Sequence, residues 1–415
     1  MYEVIYNKTY LSLSLCLIAW LAFRFRPQIE SFFDRIGKTA SFSLLAFIFR
    51  ILPFWVVYVY YGIDAQSDVQ IFWHSAQKAK ELGIVYRDFP SLYSPLFAYI
   101  TAIPLIFWDT ARAVTLLMII IELLILLLTM RTYRNGLSSG QILFKTLIYL
   151  CFPAPFIFCV IGGQEDIWMW GFACLMVWAW LKGKSDFILG VIVALGLIVT
   201  KAFFVLFVPP IFLKLSNRWH FILGMAALGI PTLAFLYLHG GTAFLMPIQL
   251  AQEPMCPNIW SVTYPILGDL IARFNIRILN WIGLFVIVGA TSWQAVKFKN
   301  LELKQFVPFV WLGIFGVMMI FQIGAYSNYI FIYAMPMLFG LVNFEDKKFF
   351  VYSFIIQTAA VLQPSLWFRV GKPFYTWVFF LQGKFIIEYV FQLVIFFGVI
   401  YWMYYAYQQM KKAIV

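Results

Sequence analysis

Long apolar runs alternate with short polar stretches from end to end of the chain, and most are close to the roughly 20 residues that a helix needs to cross a bilayer core. The pattern predicts spans at 9–23, 42–61, 111–130, 143–160, 166–181, 187–199, 201–214, 219–238, 281–296, 306–323, 329–343, 349–363 and 385–407, about 13 in all. One further apolar run, Ser94 to Trp108, also has the look of a span. Counting it would put Arg131, Arg134 and Lys145 outside and invert every later basic loop, although Lys and Arg gather in cytoplasmic loops. Leaving it out brings the basic clusters to one side, from Arg24, Arg26, Arg35 and Lys38 through Lys182, Lys184, Lys214 and Arg218 to Lys411 and Lys412. Ser94–Trp108 is therefore read as an interfacial or re-entrant helix on the outer face, with Pro95 and Pro104 near its ends. Such a segment is tolerated at membrane depth only against protein or a wet cavity. The expected fold is all-α and polytopic, with the N-terminus outside and the C-terminus inside.

Composition sharpens this picture and removes others. The chain is 63% hydrophobic and only 12% charged, against about a quarter charged in a soluble domain. No polar stretch is long enough for a separate soluble unit, so 1–415 is read as a single transmembrane domain. A net charge of +12 would suit nucleic acid if it formed one patch, but it is dispersed between apolar runs, which excludes that partner. Of the five cysteines, Cys16, Cys151, Cys159 and Cys174 lie in apolar runs, so no disulfide framework is evident. His74, His220 and His239 show no metal-ligand spacing. The run Tyr10–Phe23 lacks a basic start and a small-residue cleavage site, and is expected to be a retained helix.

This topology leaves three sizeable outer loops, 62–110, 239–280 and 364–384, and they carry the carboxylates, amides and aromatics. Chemistry is expected there, because loops held by a rigid scaffold usually carry function. In the first loop Val69, Phe72, Trp73, Ala76, Ala79 and Leu82 follow helical spacing, with Lys78, Lys80 and Glu81 on the remaining surface. This predicts an amphipathic helix lying along the membrane. Ser67 with Gln70 matches a capping box, so the helix should start there and place Asp68 in its first turn. Asp68 is then either a first-turn acid favoured by the helix dipole or a general base presented at the membrane surface.

Downstream come Gly83-Ile-Val-Tyr86 and Tyr93-Ser-Pro-Leu96 before an apolar run. An Asp opening an aromatic-rich helix, followed by these two motifs, resembles the first luminal or periplasmic loop of the glycosyltransferase-C superfamily. Its members are polytopic enzymes that use polyprenyl-phosphate sugars, and the closest pattern is that of the mannosyltransferases of glycolipid and GPI-anchor synthesis and their bacterial relatives. In that superfamily the helix after Tyr-x-Pro-Leu is juxtamembrane, which agrees with the charge argument. Gly163-Gln164-Glu165-Asp166 is similar to the superfamily's Gly-Gln-x-Asn/Asp turn, so Gln164 or Asp166 is expected at the donor site, Asp166 being otherwise a helix cap. Lys201 precedes a Pro-ended apolar run, as in relatives; it either pairs with a lipid phosphate or snorkels to the headgroups. Asn258-Ile-Trp260-Ser261 resembles the Asn-x-x-Ser segment of bacterial members. Arg273 and Arg277 either bind phosphate or face solvent. Gln322 to Tyr329, with Asn328, forms a polar aromatic turn of the kind relatives have. Arg369 and Lys372 are weaker candidates, and Tyr86, Tyr93, Trp260 and Tyr329 are candidates to stack on sugar rings.

The resemblance covers the first half of the chain best. It implies inverting transfer of a hexose, mannose first, from a polyprenyl-phosphate donor to a lipid-linked glycan or glycolipid on the extracytoplasmic face. Asp68 would take the acceptor proton, and Lys201 with Arg277 or Arg273 would meet the leaving phosphate. One carboxylate then suffices, and no cofactor is required, although Asp64 and Asp68 leave room for a divalent ion. A surface-polysaccharide polymerase or ligase is the second enzyme reading, but its large catalytic loop would come late in the chain. A lipid or solute transporter is the third, and no internal repeat supports it. Short loops fit a bacterial or archaeal plasma membrane, with the endoplasmic reticulum as the other setting.

Overall fold

The computed structural model describes residues 2–134, 136–247, 253–371 and 374–414. Helices dominate, and among the described residues the only extended pairing is one isolated bridge between Val85 and Phe89. Eight helices among these residues are long and apolar enough to cross a membrane: Glu3–Arg24, Lys38–Tyr60, Ala111–Thr132, Arg218–Leu245, Ile276–Lys297, Leu303–Phe321, Lys347–Arg369 and Gly383–Lys412. They mark the chain as a membrane protein. The other five predicted spans also fall on helix, but in shorter or broken pieces. One of these, Ser139–Cys151 with Pro155–Ile161, is a pair bent by 66°. Pro153 and Pro155 supply no backbone N–H there, and Phe152 is driven to the extended region that precedes proline.

The segment Ser94–Trp108 forms a ten-residue helix, Phe97–Ile106. At 1.5 Å per residue it is about 15 Å long, half of a hydrocarbon core, so its length agrees with the reading that it does not cross. Its buried side, Phe97, Ala98, Thr101, Ala102 and Leu105, packs on the loop helix Asp68–Lys80. The three loops 62–110, 239–280 and 364–384 are more helical than their composition implies. Arg218–Leu245 and Lys347–Arg369 run on into the second and third of them, and Ile259–Ile271 lies within the second.

Leu303–Phe321 is the hub, with 89% of its apolar window buried, whereas Arg218–Leu245 is peripheral at 17%. The peripheral helix is attached through glycines. A Cβ on Gly190 would lie 2.0 Å from the Phe221 carbonyl oxygen, and one on Gly224 equally close to that of Phe187, so the two backbones touch.

Deep in the bundle, Arg50 donates to Glu122 through Nε (2.6 Å) and Nη2 (2.9 Å), and Tyr149 donates to the same carboxylate at 2.7 Å. Both charged side chains are completely buried. This triad fastens Lys38–Tyr60 to Ala111–Thr132 and Ser139–Cys151. Glu122→Ala strands a buried guanidinium and is expected to cost about 3–5 kcal/mol, seen as a lower Tm in detergent. Adding Arg50→Met to it should recover much of that loss.

Candidate functional site

The loop helix begins at Asp68, as the sequence predicts, but not by the predicted cap. Ser67 has φ +71° and its side chain makes no capping bond, while the Gln70 amide donates back to the Ala65 carbonyl. The capping box is thus absent, because Ser67 sits in a left-handed conformation that turns its hydroxyl away from the helix start. Val69, Phe72, Ala76 and Ala79 are buried as expected, but Leu82 is 87% exposed, beyond the helix end where the chain turns at φ +62°.

Asp68 is half-buried and accepts a 2.8 Å hydrogen bond from Gln164 Nε2. That contact exists because the 162–166 turn presses on the loop helix. Gly163, at φ +60°, has no Cβ to meet Val69 and Thr115, which would be 3.0 and 3.2 Å away. The turn is held from behind by the π-helical end Pro155–Ile161, whose Phe158 carbonyl accepts the Gln164 N–H at 2.8 Å.

Next to Gln164 lie two more acids, Glu165 and Asp166, each 1% exposed. Asp166 occupies the cap position of Ile167–Leu181 but makes no capping bond. It accepts instead from Lys201 Nζ at 2.5 Å, and Glu165 Oε1 lies 2.8 Å from the same nitrogen. Lys201 is extended backbone in the break between Asp186–Val199 and the helical turn from Ala202. The Tyr93-Ser-Pro-Leu motif docks on this break: the Ser94 and Leu96 N–H groups donate to the Thr200 and Ile198 carbonyls at 3.2 and 2.9 Å. Tyr93 is thereby wedged between Phe72 and Phe97, with its ring centroid 5.3 Å from Lys201 Nζ. The Tyr329 and Phe203 rings lie 5.5 and 5.8 Å from the same nitrogen. The motifs of the first loop, the 162–166 turn, Lys201 and the 327–333 turn therefore meet at one end of the bundle.

The electrostatics follow from this packing. Burial pushes the Glu165 carboxyl up to about 7, against the pull of Lys201 and with the help of Asp166. The Lys201 ammonium is buried, and the Asp166 and Glu165 carboxylates are its two ion-pair partners. Glu165 Oε2 and Asp166 Oδ2 are buried acceptors with no hydrogen-bond partner among the described residues, and the Trp168 indole N–H is a donor in the same position.

A carboxyl raised by folding contributes stability below its unfolded pKa, and that contribution is lost as pH rises through the folded value. The Tm is therefore expected to fall between about pH 5 and pH 8, and Glu165→Gln should flatten the slope. An unchanged pH dependence in that variant would refute the assignment.

Other predicted residues lie elsewhere. Asp64 is exposed and ion-paired with Arg112 at 2.7 Å, which also clamps the Gly62 carbonyl. It precedes the loop helix, and its carboxylate is engaged by Arg112, whereas that of Asp68 is engaged by Gln164. Among the described residues no group of three His, Cys, Asp or Glu side chains is arranged for a metal. Asn258 is fully buried and spent on the fold: it forms a capping box with Ser261 and donates to the Met255 and Ile323 carbonyls. The Asn-x-x-Ser likeness is thus a helix start. Arg273 and Arg277 are exposed around the start of Ile276–Lys297, and among the described residues no hydrogen bond or ion pair joins them to the Asp68 cluster. Asn328 is half-buried between Ser327, bonded to Gln363, and Tyr329 beneath Lys201. Tyr86 is buried and donates to the Tyr93 carbonyl, and Trp260 donates to that of Phe321. Lys372 lies outside the described residues.

No family model and no curated protein matches the chain. The residues themselves therefore carry the functional reading.

Two features escaped the sequence analysis. Glu165 matches no motif, and its one signal is its place beside Gln164 and Asp166 in a chain with only 18 acidic residues. Glu388, a lone acid at the start of a long apolar helix, accepts from Gln363 (2.6 Å), Gln392 (2.8 Å) and Tyr375. Tyr326 lies within electrostatic range of both Glu388 and Asp68, so this network borders the site.

Proposed function

We propose that the chain is a polytopic membrane glycosyltransferase. It moves a hexose, mannose in the first instance, from a polyprenyl phosphate to a lipid-linked glycan or glycolipid on the extracytoplasmic face. The observation that carries this reading is the half-exposed Asp68 carboxylate at a helix start, oriented by Gln164 beside a buried lysine and two acids. Asp68 takes the proton from the acceptor hydroxyl as it attacks the anomeric carbon, and the configuration inverts. Gln164 holds the carboxylate in one orientation, which suits a base that must meet a hydroxyl at hydrogen-bond distance.

The lipid phosphate leaves without needing a proton, and positive charge stabilises it. Lys201 is a poor source of that charge, since Glu165 and Asp166 already neutralise it. In this reading Lys201 keeps the carboxyl pair in place, and the exposed Arg273 and Arg277 meet the phosphate as their loop closes on the donor. Thirteen crossings, with the shorter helices completing the bundle, a bacterial or archaeal plasma membrane, and a glycosyltransferase-C fold belong to the same proposal.

One observation favours a second reading. A buried carboxyl pair held by a buried lysine is also what a proton-coupled transporter uses. Proteoliposomes loaded with a labelled polyprenyl-phosphate hexose and a crude lipid acceptor separate the two. Label moving covalently into the acceptor fraction supports transfer, whereas flux of unmodified solute coupled to a proton gradient supports transport.

A further inference from the structure

The opposite end of the bundle carries a cavity of about 570 Å³, lined by Arg131, Thr132, Arg134, Gly136, Trp178, Leu181, Lys182 and Lys304. Its wall comes from the last turns of Ala111–Thr132 and Ile167–Leu181 and the first turn of Leu303–Phe321. Lys38 also lies within electrostatic range of Arg134 and Arg131. We propose that this cavity binds the phosphate headgroup of an anionic phospholipid.

Two observations converge on that occupant. The positive charge is unanswered: among the described residues none of Arg131, Arg134, Lys182 and Lys304 is ion-paired with a carboxylate. The neighbouring acids do not serve. Asp34 is turned to the Gly140 N–H at 2.7 Å and the Ser138 hydroxyl, and Glu302, beside Lys304, makes no ion pair with it. The cavity is also amphiphilic, since Trp178 and Leu181, 37% and 43% exposed, continue it along an apolar helix. Trp at a helix end marks the headgroup level of a bilayer, and basic pockets between helix ends suit anionic headgroups. A free phosphate would use the charges alone and leave the apolar floor wet; a lipid uses both.

The ordinary alternative is that these side chains are solvated loop charges with no preferred ligand. Native mass spectrometry of the full chain, titrated with phosphatidylglycerol, phosphatidylcholine or inorganic phosphate, separates the cases. The wild type is expected to retain phosphatidylglycerol in preference to phosphatidylcholine, with inorganic phosphate not displacing it. Arg131→Gln/Arg134→Gln/Lys182→Gln should weaken phosphatidylglycerol at least ~10-fold, each basic group near a surface being worth several-fold. Lys347→Gln/Lys348→Gln, on an exposed helix start elsewhere, should leave it unchanged. Should the triple variant not purify as folded protein, Arg131→Gln alone should weaken binding ~3-fold or more. Equal retention of both lipids, equal losses in the cavity and control variants, or full displacement by inorganic phosphate would each overturn the proposal.

Discussion

Asp68→Asn is expected to lower sugar transfer by about 10²- to 10⁴-fold, the usual worth of a positioned general base, while donor binding stays near wild type. Asparagine is the informative replacement because it keeps the size of the side chain and its bond from Gln164 Nε2. What it removes is the ability to accept a proton from the attacking hydroxyl. A change of this kind appears in the chemical step and not in substrate affinity, so single-turnover rates at saturating donor are the measurement to make. Gln164→Ala should give a milder loss, since the carboxylate remains but is free to rotate. If Asp68→Asn turned over within a few-fold of wild type, Asp68 would be no more than a first-turn acid favoured by the helix dipole.

The second large effect is on folding. Lys201→Met should sharply lower the yield and Tm of the protein, because it leaves Glu165 and Asp166 buried without a cation. Removing one partner of a buried ion pair commonly costs about 3–5 kcal/mol, and here one lysine answers two carboxyls. The loss should be largest above about pH 7, where both acids would have to ionise or shift further. Lys201→Met/Glu165→Gln/Asp166→Asn removes the stranded charges and is expected to recover much of the stability without recovering transfer. Thermal unfolding in detergent across pH checks both variants. A Tm for Lys201→Met equal to wild type would mean that Lys201 does not hold the pair.

Much of this was legible in the chain. Apolar periodicity located the long helices, and the basic residues argued that Ser94–Trp108 does not cross, which its ten-residue helix matches. The order Asp68, Tyr93-Ser-Pro-Leu, Gln164, Asp166, Lys201 named residues that the fold brings together. What the sequence could not give was their partners. In the sequence Lys201 reads either as a partner of lipid phosphate or as a snorkelling cation, because nothing in the linear order shows that the 162–166 turn folds onto the break at residue 201. Asn258 was assigned to binding because an Asn-x-x-Ser capping box and a recognition motif look alike until the helix start is seen. Glu165 was overlooked because its neighbours matched a known pattern and it did not. The span count exceeds the eight long helices because some apolar runs are broken by proline, as at 153 and 155, while others, such as Ile167–Leu181 and Asp186–Val199, are single helices shorter than 18 residues.

The central claim is that the Asp68 cluster performs glycosyl transfer. The most direct test is a radiolabelled transfer assay in detergent, offering polyprenyl-phosphate mannose, glucose and arabinofuranose with a broad extract of lipid acceptors. The prediction is covalent incorporation from one hexose donor, mannose first, by the wild type and its loss in Asp68→Asn. Folded wild-type protein that incorporates label from none of the donors, or equal incorporation by Asp68→Asn, would contradict it.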